Sequence, residues 1–338
     1  MPAFDLPLDE LRRYTGRNPR PDDLDAYWTE ALAELDALMS GDGAAGSDVR
    51  LDRVEHPASY AECFDLWFTG VRGARVYAKY LRPAGTTAVT SATGASGQVP
   101  AVVVFHGYSG HSPDWFELLP YVAQGFAVAA LDCRGQGGRS QDSGGALGTT
   151  LNGHIVRGLE DDPRNLAFRH IFLDTVQLTR IVMDSPEVDG TRVGVTGASQ
   201  GGALTLACAA LEPRVRAAAP VYPFLSDYLR VWEMDLAEEA YSELRQYLRR
   251  FDPTHARVEE MFTRLGYIDV QHLAERIEAS VLMQTGLMDT ICPPSTQFAA
   301  YNKIRSPKEI VLYPDFEHED LPGEQDRILA FMVEQLAP

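Results

Sequence analysis

Between residues 21 and 39 apolar side chains recur at helical spacing, with Leu24, Trp28, Leu32, Leu35 and Leu38 sharing one face, and a Gly/Asp/Ser stretch over 40–48 ends the run. The pattern predicts a helix ahead of any sheet. Three extended runs follow at 49–56, 64–69 and 74–82, and Gly70 and Gly73 between the last two mark an antiparallel hairpin. Residues 84–98 are almost all Gly, Ala, Ser and Thr, a composition that buries nothing, so a flexible surface loop with no catalytic part is expected there.

From residue 101 the rhythm changes. Short unbroken apolar runs at 101–106, 126–132, 192–197, 215–221, 281–285 and 309–313 alternate with helical patterns at 114–123, 168–184, 200–211, 294–301 and 324–336. Strands buried on both faces and separated by helices are what a parallel sheet requires, so the fold class is α/β. Between Val221 and Val281 lie about 60 residues, against roughly 2 to 6 for an ordinary connection, and helix-like segments fill 226–279. A helical cap inserted over 222–280 is expected, on a single domain spanning 1–338 with a helical extension over 1–48.

Composition narrows the possibilities. The 338 residues are 45% hydrophobic and 23% charged, ordinary for a globular chain, and 48 acidic against 30 basic residues give a formal charge of −18. A phosphate backbone or an anionic lipid surface is repelled by that balance, so neither nucleic acid nor membrane is an expected partner. Cys63, Cys133, Cys208 and Cys292 are far apart and form no CxxC pair, which suggests neither a disulfide framework nor a zinc knuckle. Residues 1–14 lack the basic and apolar regions of a secretory signal, no run approaches the roughly 20 apolar residues of a membrane helix, and no Asn-x-Ser/Thr site occurs. A cytoplasmic location is the expectation.

Candidate chemistry centres on Gly197-Ala198-Ser199-Gln200-Gly201, a G-x-S-x-G nucleophile elbow placed between the strand RVGVTG and an apolar helix. The glycines are needed because the serine sits on a strained strand-to-helix turn. In α/β-hydrolases the partners follow in the order nucleophile, acid, histidine, each after a later strand. His318, after EIVLY, is the one of eight histidines that fits as base. Asp289, after VLMQTG, fits as acid; its second reading is an N-cap for the helix after Cys292-Pro293-Pro294. Asp315, Glu317, Glu319 and Asp320 crowd His318 in sequence, and one of them is an alternative acid. Backbone N–H groups of Gln200, after the nucleophile, and of Tyr108, in His106-Gly107-Tyr108-Ser109-Gly110, answer the description of oxyanion donors, and the Tyr108 ring is expected at the pocket. His106 and His111 lack a third ligand, so no metal site is expected.

Taken together, HGYSGHSPDW (106–115), DCRGQGGRS (132–140), GASQGG (197–202), GLMDTICPPSTQFAAYN (286–302) and EHED (317–320) resemble carbohydrate esterase family seven, the acetyl xylan esterases and cephalosporin C deacetylases, over residues 1 to 335. The resemblance implies an α/β-hydrolase fold and deacetylation of small acetylated sugars and of cephalosporin C by Ser199, Asp289 and His318, with Tyr108 and Gln200 as oxyanion donors and no metal or organic cofactor. It also implies an intracellular homohexamer with active sites facing an internal chamber. The loop at 84–98 and the stretch 144–161 depart from the pattern. Arg134 in the RGQGG segment reads more readily as a structural anchor than as a catalytic group. Rival readings are a peptidase or dienelactone hydrolase on the same scaffold, a perhydrolase, and a binding module that has kept the fold.

Overall fold

The apolar runs of the second half pair side by side in parallel, because helices cross over between them. The structure, a computed structural model, describes residues 4–40, 48–86, 97–142 and 154–337. Most of the loop expected at 84–98, and the stretch 144–161 up to residue 153, lie outside them. The described residues form a nine-stranded sheet in the order β1-β2-β3-β5-β4-β6-β7-β8-β9. Strands β1 (Arg50–Val54), β2 (Ala61–Thr69) and β3 (Arg75–Pro83) are antiparallel at one edge, and β3 pairs antiparallel with β5 (Ala127–Asp132). From β5 onward, β4 (Val99–Phe105), β6 (Val188–Ala198), β7 (Ala217–Val221), β8 (Ser280–Gly286) and β9 (Lys308–Tyr313) all run parallel. Their carboxyl ends therefore open on one edge, where an α/β sheet binds its ligands. This is the α/β-hydrolase fold.

The helices are α1 (Leu8–Leu11), α2 (Leu24–Ser40), α3 (Trp115–Ala123), α4 (Ala167–Met183), α5 (Gln200–Leu211), α6 (Tyr228–Glu233), α7 (Ser242–Phe251), α8 (Val258–Leu265), α9 (Pro294–Lys303) and α10 (Glu324–Gln335). One sheet face packs on α3 and α10 through Leu118, Val122, Ile328 and Met332. The other packs on α4 and α5, whose side chains are buried almost all round, as a helix enclosed by neighbours must be. Helix α2 lies outside α4: Trp28 is fully buried, stacks 5.8 Å from Phe172, and donates its indole N–H to Tyr267 O.

Strand and helix ends depart from the sequence pattern in two instructive places. Strand β6 begins at Val188 and not at 192, because Asp189-Gly190-Thr191 reads as a turn; Asp189 Oδ1 does accept the Thr191 N–H, and the pairing with β4 shifts register between Val99 and Ala101. Helix α1 escapes notice because four residues are too few to show a helical period.

Between β7 and β8 the chain forms α6, α7, α8 and several short 3-10 turns. This segment is tied to the N-terminal region through Asp227, whose carboxylate accepts from the Tyr14 hydroxyl and from the N–H groups of Arg17 and Asn18. No helix among the described residues is long and apolar enough to cross a membrane.

Candidate active site

Ser199 stands at the end of β6 with φ 57° and ψ −117°, a conformation costly for any residue with a side chain. Backbone hydrogen bonds hold it there: its N–H donates to Val221 O at 3.0 Å, and its carbonyl accepts from Ala203 N at 3.1 Å and Phe224 N at 3.0 Å. The elbow's glycines are required by close approach. A Cβ on Gly197 or on Gly201 would overlap the Phe105 carbonyl oxygen at the end of β4. Gln200 opens α5, so its N–H has no acceptor within the helix and points toward the same edge as Ser199.

The acid and the histidine arrive on neighbouring strands whose loops are laced together. Leu287 N donates to Tyr313 O, Met288 N donates to Phe316 O, and a Cβ on Gly286 would overlap Phe316 O. As a result His318 Nδ1 lies 2.8 Å from Asp289 Oδ2, and its Nε2 lies 3.1 Å from Ser199 Oγ. Asp289 is fully buried, while the His318 side chain keeps 21% of its surface exposed. Asp289 does not cap the next helix: α9 begins at Pro294 with Pro293 as its cap residue and no side-chain cap, and the other Asp289 oxygen, Oδ1, instead accepts from Ile291 N and Cys292 N in the turn before it. None of the four sequence-adjacent acids takes the place at Nδ1; Glu319 instead accepts from the Glu317 N–H. Such an arrangement can activate a serine hydroxyl, because the carboxylate fixes the imidazole with its Nε2 lone pair toward Oγ.

The turn after β4 lies beside this row. His106 is buried and its Nε2 accepts from the Cys133 N–H, which assigns the proton to Nδ1 and its donation to Gly107 O at 2.7 Å. Burial holds the ring neutral by lowering its pKa. His106 is thus a strut, and His111 turns away to Ser112 O. Gln200 Nε2 reaches His106 O and Gly107 O, each at 3.4 Å, and exchanges hydrogen bonds with Gln136 of the RGQGG segment. In that segment Arg134 is buried against the Asp174 carboxylate and Val71 O, remote from Ser199 in its bonding, which makes it an anchor. A Cβ on Gly137 would crowd Ser109 O and Gly110 O, so the glycine lets the two loops touch.

Asp289, Cys292 and His318 present potential ligand atoms within 4.8 Å of one another. They do not fit a resident metal: Nδ1 and the carboxylate engage each other, and burial pushes the Cys292 thiol well up, which keeps it protonated beside Ser199.

Residues 1–335 match the family model of acetyl xylan esterase. The chain belongs to the acetyl xylan esterase family. It is an esterase. The structure of acetyl xylan esterase 1 from Thermoanaerobacterium sp. JW/SL YS485 is 56% identical and superposes with a TM-score of 0.91, covering 99% of this chain and 100% of that one. The acetyl xylan esterase from Paenibacillus sp. R4 is 33% identical with a TM-score of 0.89, over 98% and 100% of the two chains. Acetyl esterase Axe7A of Xylanibacter ruminicola is 35% identical over 167 residues, 49% of this chain and 36% of that longer relative. An acylaminoacyl peptidase from Pyrococcus horikoshii, 16% identical with a TM-score of 0.57, shares the fold alone, over 82% of this chain and 41% of that one.

Within this esterase, two contacts beside the site have no signal in the sequence. The Tyr222 ring lies 4.6 Å from the His318 imidazole, tilted 55° to it, across 96 positions of chain. The Tyr108 ring does not simply line a pocket: its hydroxyl donates to Glu243 on α7, and the ring packs edge-on against Phe224 at 5.2 Å. Both contacts are made by side chains that only the folded sheet brings together.

Proposed function

We propose that the protein is a serine acetylesterase that removes acetyl groups from small acetylated carbohydrates, xylooligosaccharides among them, and from cephalosporin C. The observation that carries this reading is the continuous row from Ser199 Oγ through His318 to Asp289 Oδ2 on the ligand-binding edge of the sheet. His318 Nε2 takes the Ser199 proton as Oγ attacks the acetyl carbonyl, and the oxyanion rests on the N–H groups of Tyr108 and Gln200. The imidazolium returns the proton to the leaving alcohol, which departs and leaves acetyl-Ser199. Water, deprotonated by the same imidazole, then attacks the acyl carbon; the bond to Oγ breaks, the imidazolium returns the proton to Ser199 Oγ, and acetate is released. Every step is served by groups of this chain.

The family supports the acetyl preference and the small substrates, as does a reading of the helical segment between β7 and β8 as a cap. A cytoplasmic homohexamer with inward-facing sites belongs to the same reading. Initial rates across acetylated xylooligosaccharides, cephalosporin C and 4-nitrophenyl acetate and butanoate test it: acetyl esters are expected to turn over fastest, and equal rates for acetyl and butanoyl esters contradict a small acyl site.

A further inference from the structure

The proposed oxyanion donor Tyr108 has a side chain that the chemistry does not use, yet it is among the most firmly held near the site. Its hydroxyl donates to Glu243 Oε1 and accepts from His154 N at 3.1 Å. Glu243 is 2% exposed, and its second oxygen accepts from Val156 N at 3.3 Å. The ring abuts Phe224, whose own N–H donates to the Ser199 carbonyl and whose ring lies 4.3 Å from Tyr241 at the start of α7.

The peptide joining Gly107 to Tyr108 carries the donor N–H. Its carbonyl oxygen is gripped by His106 Nδ1, Gly110 N and Gln200 Nε2, but a grip on one atom leaves the plane free to pivot about it. Gly107 adds no restraint, since a Cβ there would meet nothing within 4 Å. The second fixed point is the Tyr108 side chain. Catalysis by a preorganised donor depends on holding the N–H where the oxyanion forms, and not merely near it.

We propose that Glu243 is a positioning residue for the oxyanion site: from α7 of the inserted segment it holds the Tyr108 hydroxyl and so orients the Tyr108 N–H. The inference rests on the acyl-transfer reading above and makes the insertion part of the catalytic geometry as well as a cover.

The test compares Tyr108→Phe, Glu243→Gln and the double variant with 4-nitrophenyl acetate, alongside melting temperatures and fluorophosphonate labelling of the unaltered enzyme. Each single change is expected to lower kcat roughly 10- to 100-fold, less than outright removal of a donor, with KM within about twofold. The double variant is expected to be no worse than the worse single, because both break the same link. Unchanged kcat in Tyr108→Phe, with or without a fall in melting temperature, overturns the proposal, as do losses that multiply in the double variant. Tyr108→Phe removes one oxygen and keeps the ring, so it carries the test even if Glu243→Gln fails to fold. Failure of the unaltered enzyme to label would instead strike the acyl-transfer reading itself.

Discussion

Asp289 divides its carboxylate between two tasks: Oδ2 lies 2.8 Å from His318 Nδ1, while Oδ1 accepts from the N–H groups of Ile291 and Cys292. The two roles can be separated. In Asp289→Asn the amide oxygen still closes the turn, so the fold is retained, but the amide nitrogen faces Nδ1 and forces it to accept. Nε2 then carries the proton and cannot take the one on Ser199. A loss of about 10³- to 10⁴-fold in kcat is expected, with a melting temperature close to that of the unaltered enzyme. Steady-state kinetics and a thermal melt check it; a loss of under tenfold would mean that another acid serves His318.

Glycines near the site should differ sharply. A methyl group on Gly201 overlaps the Phe105 carbonyl, and one on Gly107 meets open space. Gly201→Ala is expected to destabilise by about 2 kcal/mol or more, and Gly107→Ala by under ~1 kcal/mol. Urea unfolding midpoints of the two variants, measured side by side, decide the point.

Arg134 and Asp174 are 2% and 0% exposed, and the Nε and Nη2 edge of the guanidinium donates to both carboxylate oxygens. Removing one partner strands a buried charge, so Arg134→Met is expected to cost about 3 to 5 kcal/mol in stability. Rate per folded molecule should stay near normal, since no bond of Arg134 reaches the Ser199 row. A large kcat loss at unchanged stability would return Arg134 to the catalytic machinery.

A pH signature is expected away from the site. Asp269 is fully buried and faces the Asp227 carboxylate, with Lys303 nearby, and burial first, then Asp227, raises its pKa to about 7. An unfolded carboxyl titrates near 4, so between about pH 4 and 7 the folded chain holds a proton that the unfolded chain has released. The contribution of this group to stability therefore falls as pH rises through that window, by at most about 1.4 kcal/mol per pH unit. Asp269→Asn removes the term. Unfolding free energies of both proteins from pH 4 to 8 are expected to differ by an amount that declines up to about pH 7 and is flat beyond; a constant difference contradicts it.

The strands that carry the site were legible because each contains a short apolar run, buried in β8 and half-buried in the edge strand β9, and the order of Ser199, Asp289 and His318 follows from the order of those strands. Strand position favours Asp289 over Asp315 or Glu317, and it is Asp289 Oδ2 that lies 2.8 Å from His318 Nδ1. Other features left no mark. The ring contact of Tyr222 with His318 and the bond from Tyr108 to Glu243 join residues 96 and 135 positions apart, with no periodicity to link them. The irregular start of β6 looked like a turn because, in its hydrogen bonding, it contains one.

The central claim is that Ser199 becomes acetylated. Rapid mixing with excess 4-nitrophenyl acetate, acid quench and peptide mass analysis test it directly, with Ser199→Ala in parallel. The account predicts one added acetyl group on the peptide containing Ser199, and a fall in kcat of roughly 10⁴- to 10⁶-fold in the variant. Acetate on a different residue, or turnover by Ser199→Ala near the unaltered rate, would contradict it.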